Sequence, residues 1–208
     1  MPRDGTATRD RLLREAERLF ARHGLYRVTI REVTQAAGQR NASAIDYHFG
    51  SREDLIEAIL ARHGDPTDEA RGKHLAQLGP DATSRDLLAT LVVPYGAHLR
   101  TPEGRDYLRI VAQMTPAFSG WREPRAGTGP WLREILGLLE ARDPELPLAI
   151  RRERVVEMMM LLTAAVAERA RVIEDGEPLA LDEALFLADL TDVLAGVLRA
   201  PRSGPLPE

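Results

Sequence analysis

The chain has 208 residues, 44% of them hydrophobic and 29% charged, with a net charge of −4, the make-up of a globular protein long enough to bury a sizeable core. It contains no cysteine, which excludes disulfides, thiolate catalysis and cysteine-ligated metals and fits a cytoplasmic address. No apolar run reaches the length of a membrane span, and the opening MPRDGTATRDR lacks the hydrophobic segment of a signal peptide.

Charge is unevenly spread. Residues 1–50 hold nine arginines against six acids, a surplus of +3, so the remainder carries −7. A basic head on an acidic body is expected where the head meets a polyanion. The arginine count alone carries little weight, because the only lysine is Lys73, a bias that points to a GC-rich coding sequence.

In chain order, Thr8 is expected to cap a first helix running to about Arg22. Leu12, Leu13, Ala16, Leu19 and Phe20 lie on one face of it and Gly24 is its stop. Thr29 then caps a short helix burying Ile30, Val33 and Ala37, and Gly38 takes the positive φ of a sharp turn. Asn41 caps a third helix in which Ile45 and Phe49 point inward. Ala42, Ser43, Ala44, Asp46, Tyr47 and His48 occupy its other faces. Small residues let a backbone approach base edges, while Tyr and His can donate to phosphate oxygens. Two short helices joined by a glycine turn, the second polar and aromatic on its outer face, outline a helix-turn-helix that reads DNA. Ser51 with Asp54 opens a fourth helix carrying Leu55, Ile56, Ile59 and Leu60. His63-Gly64-Asp65-Pro66 is expected to kink or break that helix, and the kink to lie on the path between the two parts of the chain.

The order Thr29, Val33, Ala37-Gly38, then Tyr47-His48-Phe49-Gly50-Ser51-Arg52-Glu53-Asp54-Leu55 resembles the DNA-binding module of TetR-family transcriptional regulators, over roughly the first 60 residues. The resemblance implies an all-α subunit: an N-terminal three-helix helix-turn-helix module over 1–50 and a helical effector-binding and dimerisation domain over 51–208. It also implies a homodimer on a double-stranded DNA operator, released by a small molecule. Carried over by position, Thr29 and Arg31 meet phosphate or a base edge, and Asn41, Ala42, Ser43 and Ala44 form the exposed start of the recognition helix. Tyr47 and His48 contact the backbone or support the helix, and Arg52 contacts phosphate. Two departures stand out: one extra residue between Gly38 and Tyr47, which makes Arg40 a candidate base reader, and Asp46 where the family usually has an aromatic.

Further on, Thr83 and Ser84 open a helix with Leu87, Leu88, Leu91, Val92, Tyr95 and Leu99, bent at Pro94. Thr101-Pro102 starts the next, ending before Pro116. Residues 115–130, rich in Gly and Pro, read as a loop, followed by a helix from Trp131 to Leu139. Pro147 precedes a long helix to about Ile173 and Asp182 caps a final one. Both carry apolar residues on more than one face, as expected if they build a four-helix interface with a second subunit. Tyr95, Tyr107, Met114, Phe118, Trp121, Trp131, Met158 and Met159 are the candidate lining of an effector pocket, and the lack of charge among them suggests an apolar or aromatic ligand. The histidines His23, His48, His63, His74 and His98 are scattered, and neither an H-E-x-x-H nor a Gly-rich phosphate loop occurs. No catalytic, metal or cofactor site is therefore expected. The rival readings are a helical carrier of small molecules that does not bind DNA, and a regulator that activates.

Overall fold

The computed structural model describes residues 3–41, 43–114, 118, 120–123, 128–201 and 204, and among these the chain is all-α. The helices are α1 (Arg3–His23), α2 (Ile30–Ala36), α3 (Ser43–His48), α4 (Arg52–Leu75), α5 (Ser84–Gly96), α6 (Pro102–Met114), α7 (Pro130–Ala141), α8 (Leu148–Glu174) and α9 (Glu183–Leu198). A 3₁₀ turn over Ala97–Arg100 joins α5 to α6.

The caps follow local chemistry. Thr29 and Glu32 form a reciprocal capping box at α2, and Thr83 and Asp86 another at α5. Asp182 accepts from the Leu185 amide at α9, and Ser51 from the Asp54 amide at α4. Gly24 and Gly38 close α1 and α2 at φ +99° and +69°, where a side chain would be strained. The first helix differs from expectation: it begins at Arg3, so Thr8 lies inside it and caps nothing.

α4 also departs from the sequence reading. Of the kink or break expected at Gly64-Asp65-Pro66, the break is absent: the helix runs unbroken through Pro66. Pro66 removes one amide donor, but the Thr67 hydroxyl donates to the His63 carbonyl at 2.7 Å, feeding a hydrogen bond back into that turn. Packing on several neighbours outweighs the local propensity: α4 contacts α1, α3, α5, α6 and α7.

Leu12, Ala16, Phe20, Val33, Ala37, Ile45, Leu55 and Ile59 form the buried centre of the N-terminal module. In the larger body α6 lies between α1 and α8, α5 packs on α9, and α8 on α9. Arg154 on α8 donates to the Leu198 and Ala200 carbonyls at 2.8 and 2.5 Å, satisfying the C-terminal end of α9 with a cation. The Gly129 and Trp131 region is tied down from α4, where the Asp68 carboxylate accepts from the Trp131 and Leu132 amides at 3.0 and 2.8 Å. No helix among the described residues is long and apolar enough to cross a membrane.

Candidate nucleic-acid interface

The α2–turn–α3 unit divides cleanly into an inner and an outer face. Val33, Ala37 and Ile45 are at most 1% exposed, which fixes both helices on α1 and α4. Phe49 is only partly buried, with the Arg9 guanidinium over its ring at 4.7 Å. Gly38 in its positive-φ turn and the Gln39 amide, which donates to the Thr34 carbonyl at 2.8 Å, end α2. Arg40 follows directly and is exposed, so the extra residue of the turn delivers a cation to the outer surface.

Of the predicted contact residues, Thr29, Arg31, Arg40, Asn41, Ser43 and Tyr47 are exposed, while Ala44 and His48 are partly buried; Ala42 lies outside the described residues. Tyr47 is 84% exposed, so its ring and hydroxyl are open to a partner. His48 meets the Tyr47 ring edge-on at 4.9 Å, so it buttresses Tyr47 while keeping part of its own ring accessible. The Asn41 Oδ1 accepts from the Ser43 amide at 3.1 Å, which leaves its NH₂ group to face outward partners. The Thr29 hydroxyl donates to Glu32 at 2.7 Å, and the Thr29 amide foremost, then that hydroxyl, hold the Glu32 carboxyl below its usual range. Asp46 is exposed and has no ion-pair partner among the described residues.

Arg52, expected at phosphate, is half-buried and makes contacts within the chain. Its guanidinium donates to the Val28 carbonyl at 2.7 Å and to the Leu25 carbonyl, and it sits 4.9 Å over the Phe20 ring. Two carbonyls in the α1–α2 connection lack helical partners, and a cation near the helix end satisfies them better than solvent does at a half-buried site. Arg52 therefore positions the start of α2 from α4.

The candidate effector residues fall into separate groups. Tyr95 and Tyr107 are buried with ring centroids 6.4 Å apart. Met158 and Met159 are buried on α8, while Met114 and Phe118 are partly buried against the core. Trp121 is buried beneath the Arg122 guanidinium. Trp131 is 43% exposed, yet its indole lies so close to Gly72 that a Cβ there would come within 2.6 Å of it. A surface groove of about 630 Å³ lies elsewhere, between α1 and α2, lined by Leu19, Arg22, Arg27, Val28 and Gln35.

The candidate lining residues carry no charge themselves, but titratable groups stand close to the two tyrosines. His63 stacks on Tyr107 at 4.9 Å and approaches His98 at 5.5 Å, so two of the scattered histidines meet in space. Arg71 and Asp68 from α4 are buried beside them, 6% and 5% exposed. Thr67 hydrogen-bonds His98 Nε2 at 2.7 Å, and burial foremost, then His63 and Arg71, push the His98 pKa down to about 4. Behind His63, Glu17 of α1 lies 2.5 Å from its Nε2, with Arg62 3.5 Å from the same carboxylate. The sequence did carry a signal for this cluster: Gly64, Thr67, Asp68, Arg71 and Gly72 recur at i, i+3, i+4, i+7 and i+8, one face of a helix. No group of three residues suited to a metal occurs among the described residues.

The two halves are joined side chain to backbone. Gln113 of α6 accepts from the Leu25 amide at 2.6 Å and donates to the Phe20 carbonyl at 3.2 Å.

Residues 12–59 match the family model described as bacterial regulatory proteins, tetR family. A search of curated proteins gives no match. Among solved structures, the chain is similar to NalD, the secondary repressor of the MexAB-OprM multidrug efflux pump in Pseudomonas aeruginosa. The identity is 18%, covering 93% of this chain and 96% of that one, with a TM-score of 0.57. A TetR-family transcription regulator from Marinobacter aquaeolei gives 17% identity, 93% and 98% coverage and a TM-score of 0.57. The fatty acid degradation regulator FadR from Bacillus halodurans gives 17% identity, 92% and 96% coverage and a TM-score of 0.56.

Proposed function

We propose, from the premise that this chain is a TetR-family transcriptional regulator, that it acts as a homodimeric repressor which binds a palindromic operator and leaves it when a small molecule binds. The division of labour is a DNA-binding module over residues 1–50 and an effector and dimerisation domain over 51–208. The observation that carries the DNA reading is the outer face of α2 and α3. There Arg31, Arg40, Asn41, Ser43 and a Tyr47 84% exposed stand opposite an inner face centred on the buried Val33, Ala37 and Ile45. Such a face is costly to a chain that needs only to fold, and it matches the needs of a duplex: cations and hydroxyls for phosphates, amide and guanidinium groups for base edges.

In this mechanism each subunit lays α3 in the major groove, with half-sites about one helical turn, ~34 Å, apart. Tyr47, supported by His48, donates to a phosphate, and Thr29 and Arg31 meet the backbone at the start of α2. Arg40, Asn41 and Ser43 read bases, together with Ala42 and Ala44 where small side chains allow close approach. Asp46 accepts from a cytosine amine, which gives a use to an acid that phosphates would repel. The dimer reading is supported by apolar residues left exposed on α8 and α9. Met160, Leu161 and Ala164 on α8 and Leu185, Ala188 and Val193 on α9 recur at helical spacing on one side of each helix. An effector releases the DNA by binding better to a dimer whose reading helices no longer fit the half-site spacing.

Selection of bound sequences from random DNA, followed by titration at several salt concentrations, tests this. The expected result is an inverted repeat whose log affinity falls linearly with log salt, about 0.9 per phosphate contacted. Binding of no DNA sequence under any salt condition would favour a carrier of small molecules.

A further inference from the structure

We propose that the effector site binds a small monocarboxylic acid with an apolar or aromatic body, Arg71 pairing with the carboxylate and the Tyr95 hydroxyl donating to it. This rests on the effector-responsive reading above and names the chemistry of that site. Arg71 is 6% exposed, yet its one polar contact among the described residues is Asp68 Oδ1, 3.6 Å from Nη1 and outside hydrogen-bonding range; its Nε has no partner. Asp68 is drawn towards other partners, its two carboxylate oxygens accepting from the Trp131 and Leu132 amides at the start of α7, and it stands off from the guanidinium at 3.6 Å. A buried guanidinium with unused donors is expensive, and proteins keep one where an anion will arrive. The Tyr95 hydroxyl, 3% exposed, is likewise without a partner.

The surroundings select the anion. His98 is held neutral near pH 7, and Arg62 is taken up by Glu17, so Arg71 is the one cation free for a ligand in this cluster among the described residues. One partly balanced guanidinium matches a single negative charge and the planar two-oxygen geometry of a carboxylate; a phosphate dianion would need a second cation. The rest of the acid meets rings: Tyr107 lies 6.4 Å from Tyr95 and 4.8 Å from His98. The site is also wired to the reading module, since Tyr107 sits on α6 with Gln113, and His63 links its ring stack to Glu17 of α1.

Calorimetry and thermal shift with octanoate, 3-phenylpropionate and 2-naphthoate, each beside its primary amide, read the site without DNA. At least one acid should bind the wild-type dimer at least tenfold more tightly than its amide. Arg71→Met should lose that preference while circular dichroism and operator binding show it folded, and Tyr95→Phe, a near-isosteric change, should weaken the acid several-fold. Equal binding of acids and amides, unchanged acid affinity in both variants, or no binding by any acid at millimolar concentration overturns the proposal. Anisotropy on labelled operator separates the two readings. Acids that bind but do not release DNA leave the site standing and remove the effector response, whereas release by neutral compounds alone does the reverse.

Discussion

At the scale of single residues, the reading face makes a division that mutation can test. Tyr47 projects into solvent with only His48 against it, and a tyrosine donating to phosphate carries no sequence information. Tyr47→Phe should therefore weaken every operator variant by a similar factor, about three- to tenfold for one lost hydrogen bond. Arg40→Ala or Ser43→Ala should shift the preferred sequence. Unchanged preference in both, by competition among operator variants, would mean that other residues read the bases. Two titratable groups, Asp106 buried and His98 half-buried, set a second residue-scale expectation. Burial first, then Glu174, lifts the Asp106 carboxyl to about 6, so its protonated form favours the fold and this contribution is lost as pH rises from about 4 to 6. His98, lowered to about 4, favours the fold when neutral, and its contribution is lost as pH falls from 6.5 towards 4. The two oppose each other over one window. Asp106→Asn should therefore steepen the loss of stability on acidification, and His98→Gln should reduce it, by on the order of 1–2 kcal/mol between pH 6.5 and 4. Urea midpoints across that range, compared with wild type, check both signs.

Among the elements, close helix approaches hold the C-terminal body in register. A Cβ at Gly104, in the first turn of α6, would come within 2.3 Å of the His98 carbonyl, a backbone atom that cannot swing aside. Gly104→Ala should destabilise by about 1–3 kcal/mol, although alanine is the better helix former by about 1 kcal/mol. A rise in melting temperature would show that the turn yields easily. α6 is also the element that touches both halves, through Tyr107 inside and Gln113 at Phe20 and Leu25. Gln113→Ala should keep effector affinity within about twofold while reducing the effector's power to release DNA several-fold, because the lost contacts lie between the sites. Parallel titrations of effector and operator distinguish this from simple loss of binding.

For the whole molecule, the exposed apolar residues of α8 and α9 are a surface suited to a second subunit. Leu185 is 54% and Val193 47% exposed on α9, with Met160 at 45% and Leu161 at 37% on α8, a surface a monomer would pay for in solubility. A Leu185→Glu, Val193→Glu double variant should sediment as a monomer at micromolar concentration and lose palindrome binding, while its helix content stays near wild type. A double variant that remains dimeric would place the interface elsewhere. The acidic balance of residues 51–208 suits this arrangement, since it keeps the body off the phosphates that the basic head seeks.

The sequence by itself determined whatever depends on neighbours within a few residues. The helix count, the cap at Thr29, the glycine turn at Gly38 and the outward placing of Arg40 and Tyr47 all follow from local periodicity and backbone freedom. Only the tertiary structure decided what long-range packing controls. It carried α4 intact through Pro66, because contacts along that helix outweigh one missing amide. It turned Arg52 inward, because the Leu25 and Val28 carbonyls, 27 and 24 residues away, needed a donor. It gathered His63, Arg71, Tyr95, His98 and Tyr107 from three helices and the 3₁₀ turn between them into one cluster, although no short window contains more than two of them. A side chain's orientation and its charge environment are set by atoms far off in the chain, and they exist only once the helices have met.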